Sequence, residues 1–263
     1  MPFTLAHPAL VLPLIRPLRR WLSATGLVVG SMAPDFEYFF RLRSNRGHAH
    51  NLLALVWFDL PLSLLVIALV HGVVRKPLVR CLPTVLHDRL GWMAEKPWPL
   101  TNLWSARVLL AIVIGSLSHL LWDGFTHIGY IADLLPFLKK IVAGRQLLGW
   151  LQLISSVLGL LVVGWAIWRL PKVTGPKRLD HIHRQAFWRV NFFLMLVIWV
   201  VFLLINQIEG HRLIVPIIVS GISASAAALV LSSAVLRNPW RSAHSSTKPS
   251  DSLRDPGRKS RLR

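Results

Sequence analysis

The chain of 263 residues contains one cysteine, Cys81, so a single copy forms no internal disulfide and offers no thiolate set for a zinc or iron–sulfur site. Acid is also scarce. Eleven Asp and Glu stand against thirty Lys and Arg, a formal charge of +19, which excludes an acidic or neutral surface and calls for an anionic counterpart such as phospholipid head groups. Any metal bound by this chain must be held by imidazole and carboxylate. What the chain has in abundance is apolar residues: 54% of it is hydrophobic and its mean hydropathy is +0.52, the composition of a membrane protein rather than of a soluble domain.

Five stretches are long and apolar enough to cross about 30 Å of hydrocarbon as helices of roughly 20 residues: Leu52–Val74, Val108–Ile128, Leu147–Trp168, Val190–Ile208 and Leu213–Leu236. The last three are almost free of ionisable side chains. The first carries Asp59 ahead of Pro61, and the second carries His119, Asp123 and His127, so each must turn a polar face to protein or water. A sixth element, Trp21–Phe40, is interrupted by Pro34-Asp35-Phe36-Glu37 and reads as a broken or re-entrant helix, since irregular backbone at membrane depth survives only beside protein or water. The expected fold is all-α: a polytopic membrane helix bundle of five to six membrane segments over residues 1–236, followed by a disordered basic tail over 237–263.

The N-terminus lacks the form of a cleaved export signal. Its apolar run, Ala9–Ile15, precedes Arg16, Arg19 and Arg20 and sits among Pro8, Pro13 and Pro17, so residue 1 is expected in the mature protein. Segments 75–107 and 169–189 carry six Lys or Arg each and the tail carries eight, whereas 129–146 carries three and 209–212 carries one. Rich and poor segments alternate as the positive-inside rule requires, which places both termini on the cytoplasmic side of a bacterial inner membrane if the broken element crosses. Only Trp240 interleaves the charges of the tail, so the expected partner is anionic phospholipid and not nucleic acid. Trp92, Trp98, Trp104, Trp165, Trp168 and Trp188 are placed to anchor at the interfaces.

The second span holds the strongest local signal. In Ser118-His119-Leu120-Leu121-Trp122-Asp123-Gly124-Phe125-Thr126-His127 a spacing of four turns each group by about 40° and lifts it about 6 Å, so His119, Asp123 and His127 share a helix face. Two side chains at i and i+4 reach one divalent ion. Further donors lie upstream: His7, Asp35, and the His48-x-His50 pair, whose rings point to one side in an extended segment. Together, His7, Asp35, His48, His50, His119, Asp123 and His127 suit zinc or a similar divalent ion. His87, His181, His183, His211 and His244 are expected at solvated surface.

The opening Met1-Pro2-Phe3-Thr4-x-x-His7-Pro8-Ala9, the block Gly30-Ser31-Met32-x-Pro34-Asp35-Phe36-Glu37-Tyr38, Phe58-Asp59-Leu60-Pro61, His119-x-x-x-Asp123-x-x-Thr126-His127 and Gln152-x-x-Ser155-Ser156-x-x-Gly159 resemble the bacterial domain-of-unknown-function 4184 family over most of the chain. More distantly, the order His7, Pro34-Asp35, His48 or His50, and His119-x-x-x-Asp123 resembles the membrane-bound metal-dependent hydrolases. These are similar in turn to zinc-dependent phospholipase C and single-strand nucleases, helical enzymes that cleave phosphoesters. The resemblance implies that His7, Asp35, His48, His119, Asp123 and His127 are ligands, with an aspartate bridging ions. Where those enzymes use a further histidine-bearing helix this chain has Gln152, Ser155 and Ser156, so one or two zinc ions are expected.

The functional expectation is a metal-dependent hydrolase of a phosphoester in a lipid or other membrane-accessible substrate, with Asp35 or Glu37 as general base and Arg41, Arg43 or Arg46 receiving the phosphate charge. Two rivals stand beside it. One is an ion or proton-coupled transporter using Asp59, His119, Asp123 and His127 as a relay; the other is a metal-stabilised structural membrane protein.

Overall fold

In the computed structural model, residues 3–42, 49–173, 178–205 and 214–235 are described. The tail and His48 lie outside them. Five helices are long and apolar enough to cross a membrane: Leu55–Cys81, Ala106–Thr126, Leu147–Trp168, His181–Ile205 and Pro216–Val235, hereafter the first to fifth spans. The protein is an all-α bundle, and the one sheet among the described residues is a two-residue antiparallel pair, Ile141–Val142 with Arg145–Gln146. No residue of the fourth span's most apolar window is buried, and side chains such as Leu161 and Phe193 are more than 60% exposed. Apolar faces of this extent are stable against lipid and not against water.

The first span continues beyond the expected Val74 to Cys81 and contains two π-helical turns, Leu55–Asp59 and Val70–Val74. Pro61 has no N–H to give the Trp57 carbonyl, and the wider turn lies just ahead of it, with Leu60 N–H bonding the Leu55 carbonyl.

The interrupted element is a pair of short helices, α2 (Ala24–Gly30) and α3 (Ala33–Arg41), preceded by α1 (Pro8–Ile15). Ser23 caps α2 by accepting from Gly26 N–H. Small residues set the contact of α2 with the second span. Gly26-x-x-x-Gly30 faces Ala111-x-x-x-Gly115, and a Cβ added to Gly115 would lie 2.5 Å from the Leu27 carbonyl oxygen and 2.7 Å from Ser31 N. This is the small-xxx-small packing that lets membrane helices approach backbone to backbone. On either side of the seam, Val11, Leu22, Leu27 and Ala111 form one core cluster, and Val29, Ile67, Val108 and Ile112 form another.

The third span docks the N-terminus. Phe3 N–H donates to Ser156 Oγ at 2.9 Å, and a Cβ on Gly159 would fall 2.6 Å from that of Ala6. The fourth and fifth spans pair through Asn191 with Ser232 and Trp199 with Ser220. Ser223 of the fifth span donates to the Phe39 carbonyl and so ties this pair to α3.

Candidate metal centre

Pro34 creates the site. Without its N–H the Gly30 carbonyl loses its helical partner, and Asp35 N–H turns to the Met32 carbonyl at 3.1 Å, which frees the Ser31 carbonyl as well. Both exposed oxygens are taken up by the second span. Ser116 Oγ donates to Gly30 at 3.0 Å, and His119 Nδ1–H donates to Ser31 at 2.8 Å. That second bond leaves Nε2 of His119 as the lone-pair nitrogen, aimed away from the carbonyl. The break also starts α3 with Asp35 in its first turn, facing the same ring.

Four donor atoms converge there. Asp35 Oδ1 lies 3.5 Å from His119 Nε2 and 3.6 Å from His50 Nε2; Asp123 Oδ2 lies 3.6 Å from His119 Nε2 and 3.7 Å from His50 Nε2. The other oxygen of Asp123 points away from this set, 3.5 Å from His7 Nε2 and 3.6 Å from His127 Nδ1. His7 stacks on His119 with ring centroids 3.8 Å apart. His7, Asp35 and His119 are at most 1% exposed and Asp123 is 8% exposed.

These separations exceed the 2.7–3.2 Å of an N–H···O hydrogen bond and are near the spacing of roughly 3.3–3.6 Å between neighbouring ligands of an ion bound at about 2.0–2.2 Å; the donors form two overlapping triads, His7–His119–Asp123 and Asp35–His50–His119, in each of which one atom per residue lies within 4.8 Å of the others. The set of two imidazoles and two carboxylates has the donor chemistry of zinc. Both nitrogens of His7, Asp35 Oδ1, His50 Nδ1, His119 Nε2 and Asp123 Oδ1 are buried without a hydrogen-bond partner among the described residues. Leaving a buried polar group unsatisfied costs about 1–3 kcal/mol, so six together approach the whole stability of a typical domain. Two stacked cationic rings about 4 Å apart would repel by about 4 kcal/mol at an effective dielectric of 20. With its imidazoles neutral and both carboxylates ionised the set would carry −2, the complement of one divalent ion.

A second layer holds these donors. Thr4 Oγ1 donates to Asp35 Oδ2 at 2.7 Å, which turns Oδ1 toward the imidazoles. Glu37 accepts from Ala49 N–H at 2.8 Å and from Arg41 at 3.1 Å, fixing the segment that carries His50, and the Tyr38 ring lies against His50. Hydrogen bonding from outer residues to the unused atoms of ligands is the usual construction of a metal site.

Of the residues the sequence nominated, His7, Asp35, His50, His119 and Asp123 come together, and Glu37 and Arg41 are engaged with each other. His48, Arg43 and Arg46 lie outside the described residues. His127 stands at the rim. The helix ends at Thr126 and His127 is extended, with φ −130° and ψ 156°; its Nδ1 lies 3.1 Å from the Asp123 carbonyl and 3.6 Å from Asp123 Oδ1. A cavity of about 700 Å³ opens there, lined by His127, Arg145 and Gln152 among others. His181 and His183 are exposed as expected, but His87 is not at solvated surface. It is 3% exposed in the short helix Thr84–Leu90, and burial followed by the Arg178 guanidinium holds its pKa below the ordinary imidazole value.

Sequence reasoning missed Thr4, the Ser31 carbonyl, Ser116 and the Gly30/Gly115 contact. A search for paired small-xxx-small motifs would have found the last of these.

No curated protein and no solved structure matches the chain. One family model does, that of a domain of unknown function (DUF4184), and it covers residues 1–234, which include every donor named above. The chain therefore belongs to the DUF4184 family.

Proposed function

We propose that this chain is an integral-membrane metal-dependent hydrolase that cleaves a phosphoester of a lipid or another substrate reaching the membrane surface. The observation that carries the metal assignment is the set of His–Asp separations of 3.5–3.7 Å, in which His7 Nε2, Asp35 Oδ1, His119 Nε2 and Asp123 Oδ1 are buried without a hydrogen-bond partner among the described residues. Asp35, His50, His119 and Asp123 would hold one ion. Asp123 Oδ1 and His7 Nε2 would offer donors to a second ion. A divalent ion bound there would polarise a phosphoryl oxygen and acidify an attacking water.

The chain's own residues supply the rest. Thr4, the Ser31 carbonyl and Glu37 orient the ligands. Burial of His7, Asp35 and His119 excludes bulk water from the inner side, and the cavity at His127 admits substrate from the outer one. Arg145 lines that cavity and would receive phosphate charge, the role expected of Arg41, Arg43 or Arg46; the Arg41 guanidinium bonds Glu37.

Elemental analysis of the detergent-purified chain beside His119→Ala and Asp123→Ala tests the assignment. One or two equivalents of zinc in the parent, lost in both variants, supports it and selects between the one-ion and two-ion forms; a screen of phosphomonoesters and phosphodiesters then tests the reaction class. A folded parent that binds no metal on reconstitution refutes it.

One observation favours the proton-relay alternative. Asp59 is fully buried and neither of its oxygens has a hydrogen-bond partner among the described residues. Proton flux in liposomes, abolished by Asp59→Asn, would move that reading ahead. Against it, the polar ladder occupies only the last third of the second span, whose Val108–Ile114 stretch is wholly apolar.

A further inference from the structure

A second cavity lies at the opposite end of the second span. Its volume is about 370 Å³, and its lining includes Arg19, Arg75, Lys96, Arg107, His71 and Trp98 and contains no Asp or Glu. Arg107 and His119 are twelve residues apart on one helix, so this cavity is about 18 Å along the axis from the metal centre.

Arg75 is the informative residue. It is 7% exposed, its Nε has no hydrogen-bond partner, and no carboxylate pairs with it among the described residues. A buried, uncompensated guanidinium costs several kcal/mol, a cost that an anion in the cavity would offset. The surrounding groups are arranged for one. Lys96 lies over the Trp92 ring. Arg107, in the first turn of a 21-residue helix, donates to the Arg19 carbonyl. His71 stacks on Trp98 with centroids 4.0 Å apart and meets Thr25 Oγ1 at 3.3 Å.

Ile15, Leu22, Met93 and Val108 add an apolar part to the lining, beside the polar Ser23, Asn102 and Ser105. Cations beside apolar side chains and tryptophan, at the shared end of two membrane-spanning helices, match a ligand that is anionic at its head and hydrocarbon behind it. We infer that this cavity seats the phosphate of an anionic phospholipid head group, with Arg75 as its buried counter-charge. The site is separate from the metal centre and stands whether or not that centre is catalytic.

The full chain, purified in neutral detergent, is given phosphatidylglycerol or phosphatidylcholine, and retained lipid is counted by native mass spectrometry. Thermal unfolding is followed with either lipid or with inorganic phosphate alone. The parent should retain one phosphatidylglycerol in preference to phosphatidylcholine and be stabilised by it. Arg75→Gln should lower that occupancy at least about tenfold, the equivalent of one charge-assisted hydrogen bond, and Lys96→Gln should lower it less.

Because Arg75→Gln removes an uncompensated charge, the lipid-free variant should unfold no earlier than the parent and keep its metal content, which separates lost binding from misfolding; Lys96→Gln, at an exposed position, reports on the site should Arg75→Gln fail to fold. Equal retention of the two lipids by the parent, or an intact preference in the folded variants, overturns the inference. Stabilisation by inorganic phosphate equal to that by the lipid assigns the cavity to a soluble phosphate and overturns the lipid assignment.

Discussion

Replacing Gly115 by alanine tests whether the helix break and the proposed metal ligands are one device. The new Cβ would sit 2.5 Å from the Leu27 carbonyl oxygen, 2.7 Å from Ser31 N and 2.9 Å from the Gly30 carbonyl carbon, all backbone atoms of the C-terminal end of α2 that no rotamer change can move. Restoring ordinary contact near 3.4 Å requires α2 to withdraw by about 0.9 Å. The bond from His119 Nδ1 to the Ser31 carbonyl then lengthens from 2.8 Å to about 3.7 Å, and that from Ser116 to the Gly30 carbonyl from 3.0 Å to about 3.9 Å, both beyond hydrogen-bonding distance. Two lost bonds at about 1 kcal/mol each, with an overpacking cost of about 1–3 kcal/mol, give a destabilisation of roughly 3–5 kcal/mol. Freed from Ser31, the His119 ring also loses its fixed orientation, and zinc affinity should fall about 10- to 100-fold. The assay is thermal unfolding in detergent followed by circular dichroism, with zinc titrated against a competing chelator. Gly72→Ala is the control, because its Cβ meets nothing within 4 Å and the change should stabilise by up to about 1 kcal/mol through helix propensity. Gly115→Ala unfolding within 1 °C of the parent, with unchanged zinc affinity, would refute the seam as the element that positions the ligand.

Thr4→Val removes the donor to Asp35 Oδ2 while nearly conserving volume; zinc affinity should drop about tenfold with the fold retained, as competitive titration would show. Glu37→Ala releases the Ala49 N–H and Arg41 together, and the His50 imidazole resonances should broaden in NMR spectra while those of His119 stay sharp. For His87 the sign follows from its lowered folded-state pKa: the unfolded chain takes up a proton near pH 6.5 while the folded one resists, so stability is full above that pH and is lost as pH falls below it. His87→Gln should flatten the fall in Tm between about pH 7.5 and about pH 5.5; Arg178, Asp88 and Arg184 are the charges that act on this group.

The five spans were legible because membrane helices satisfy every backbone group internally and advertise themselves as uninterrupted apolar runs. Their ends were less so. Leu52–Val74 was expected where Leu55–Cys81 is observed, because Arg75, Lys76 and Arg80 break the hydropathy run without breaking the helix. The donors His119 and Asp123 were legible from their spacing of four on a single helix. His7, Asp35 and His50 were nominated from local chemistry and from resemblance, but which atoms would meet depends on tertiary contacts no local pattern records. Glu37 shows the limit most clearly: its residue type suits a general base, and only the position of Ala49 N–H reveals that its carboxylate holds a loop. His127 shows another. Its spacing continues the helical face, but the helix stops one residue short and its ring turns back to the Asp123 carbonyl.

Pro34 joins the fold to the site. A proline in the interior of a helix normally costs about 3 kcal/mol because it strands a carbonyl and breaks the helix. Here the stranded oxygens of Gly30 and Ser31 are the acceptors that fix Ser116 and His119 of the neighbouring span, and the restart of the helix places Asp35 in a first turn, facing the same ring. The two glycines at 30 and 115 are required because those acceptors are backbone atoms, reachable by a side chain as short as serine only when the two helices touch without Cβ atoms between them. Removing the proline would therefore not repair the element. A continuous helix through Pro34→Ala would engage the Gly30 and Ser31 carbonyls internally, leave Ser116 and the Nδ1–H of His119 buried without acceptors, and rotate Asp35 away from Thr4. The helix-favouring substitution should lower both thermal stability and zinc affinity, the opposite of its effect in an isolated helix. If Pro34→Ala raised Tm and left zinc binding intact, the break would be incidental to the site.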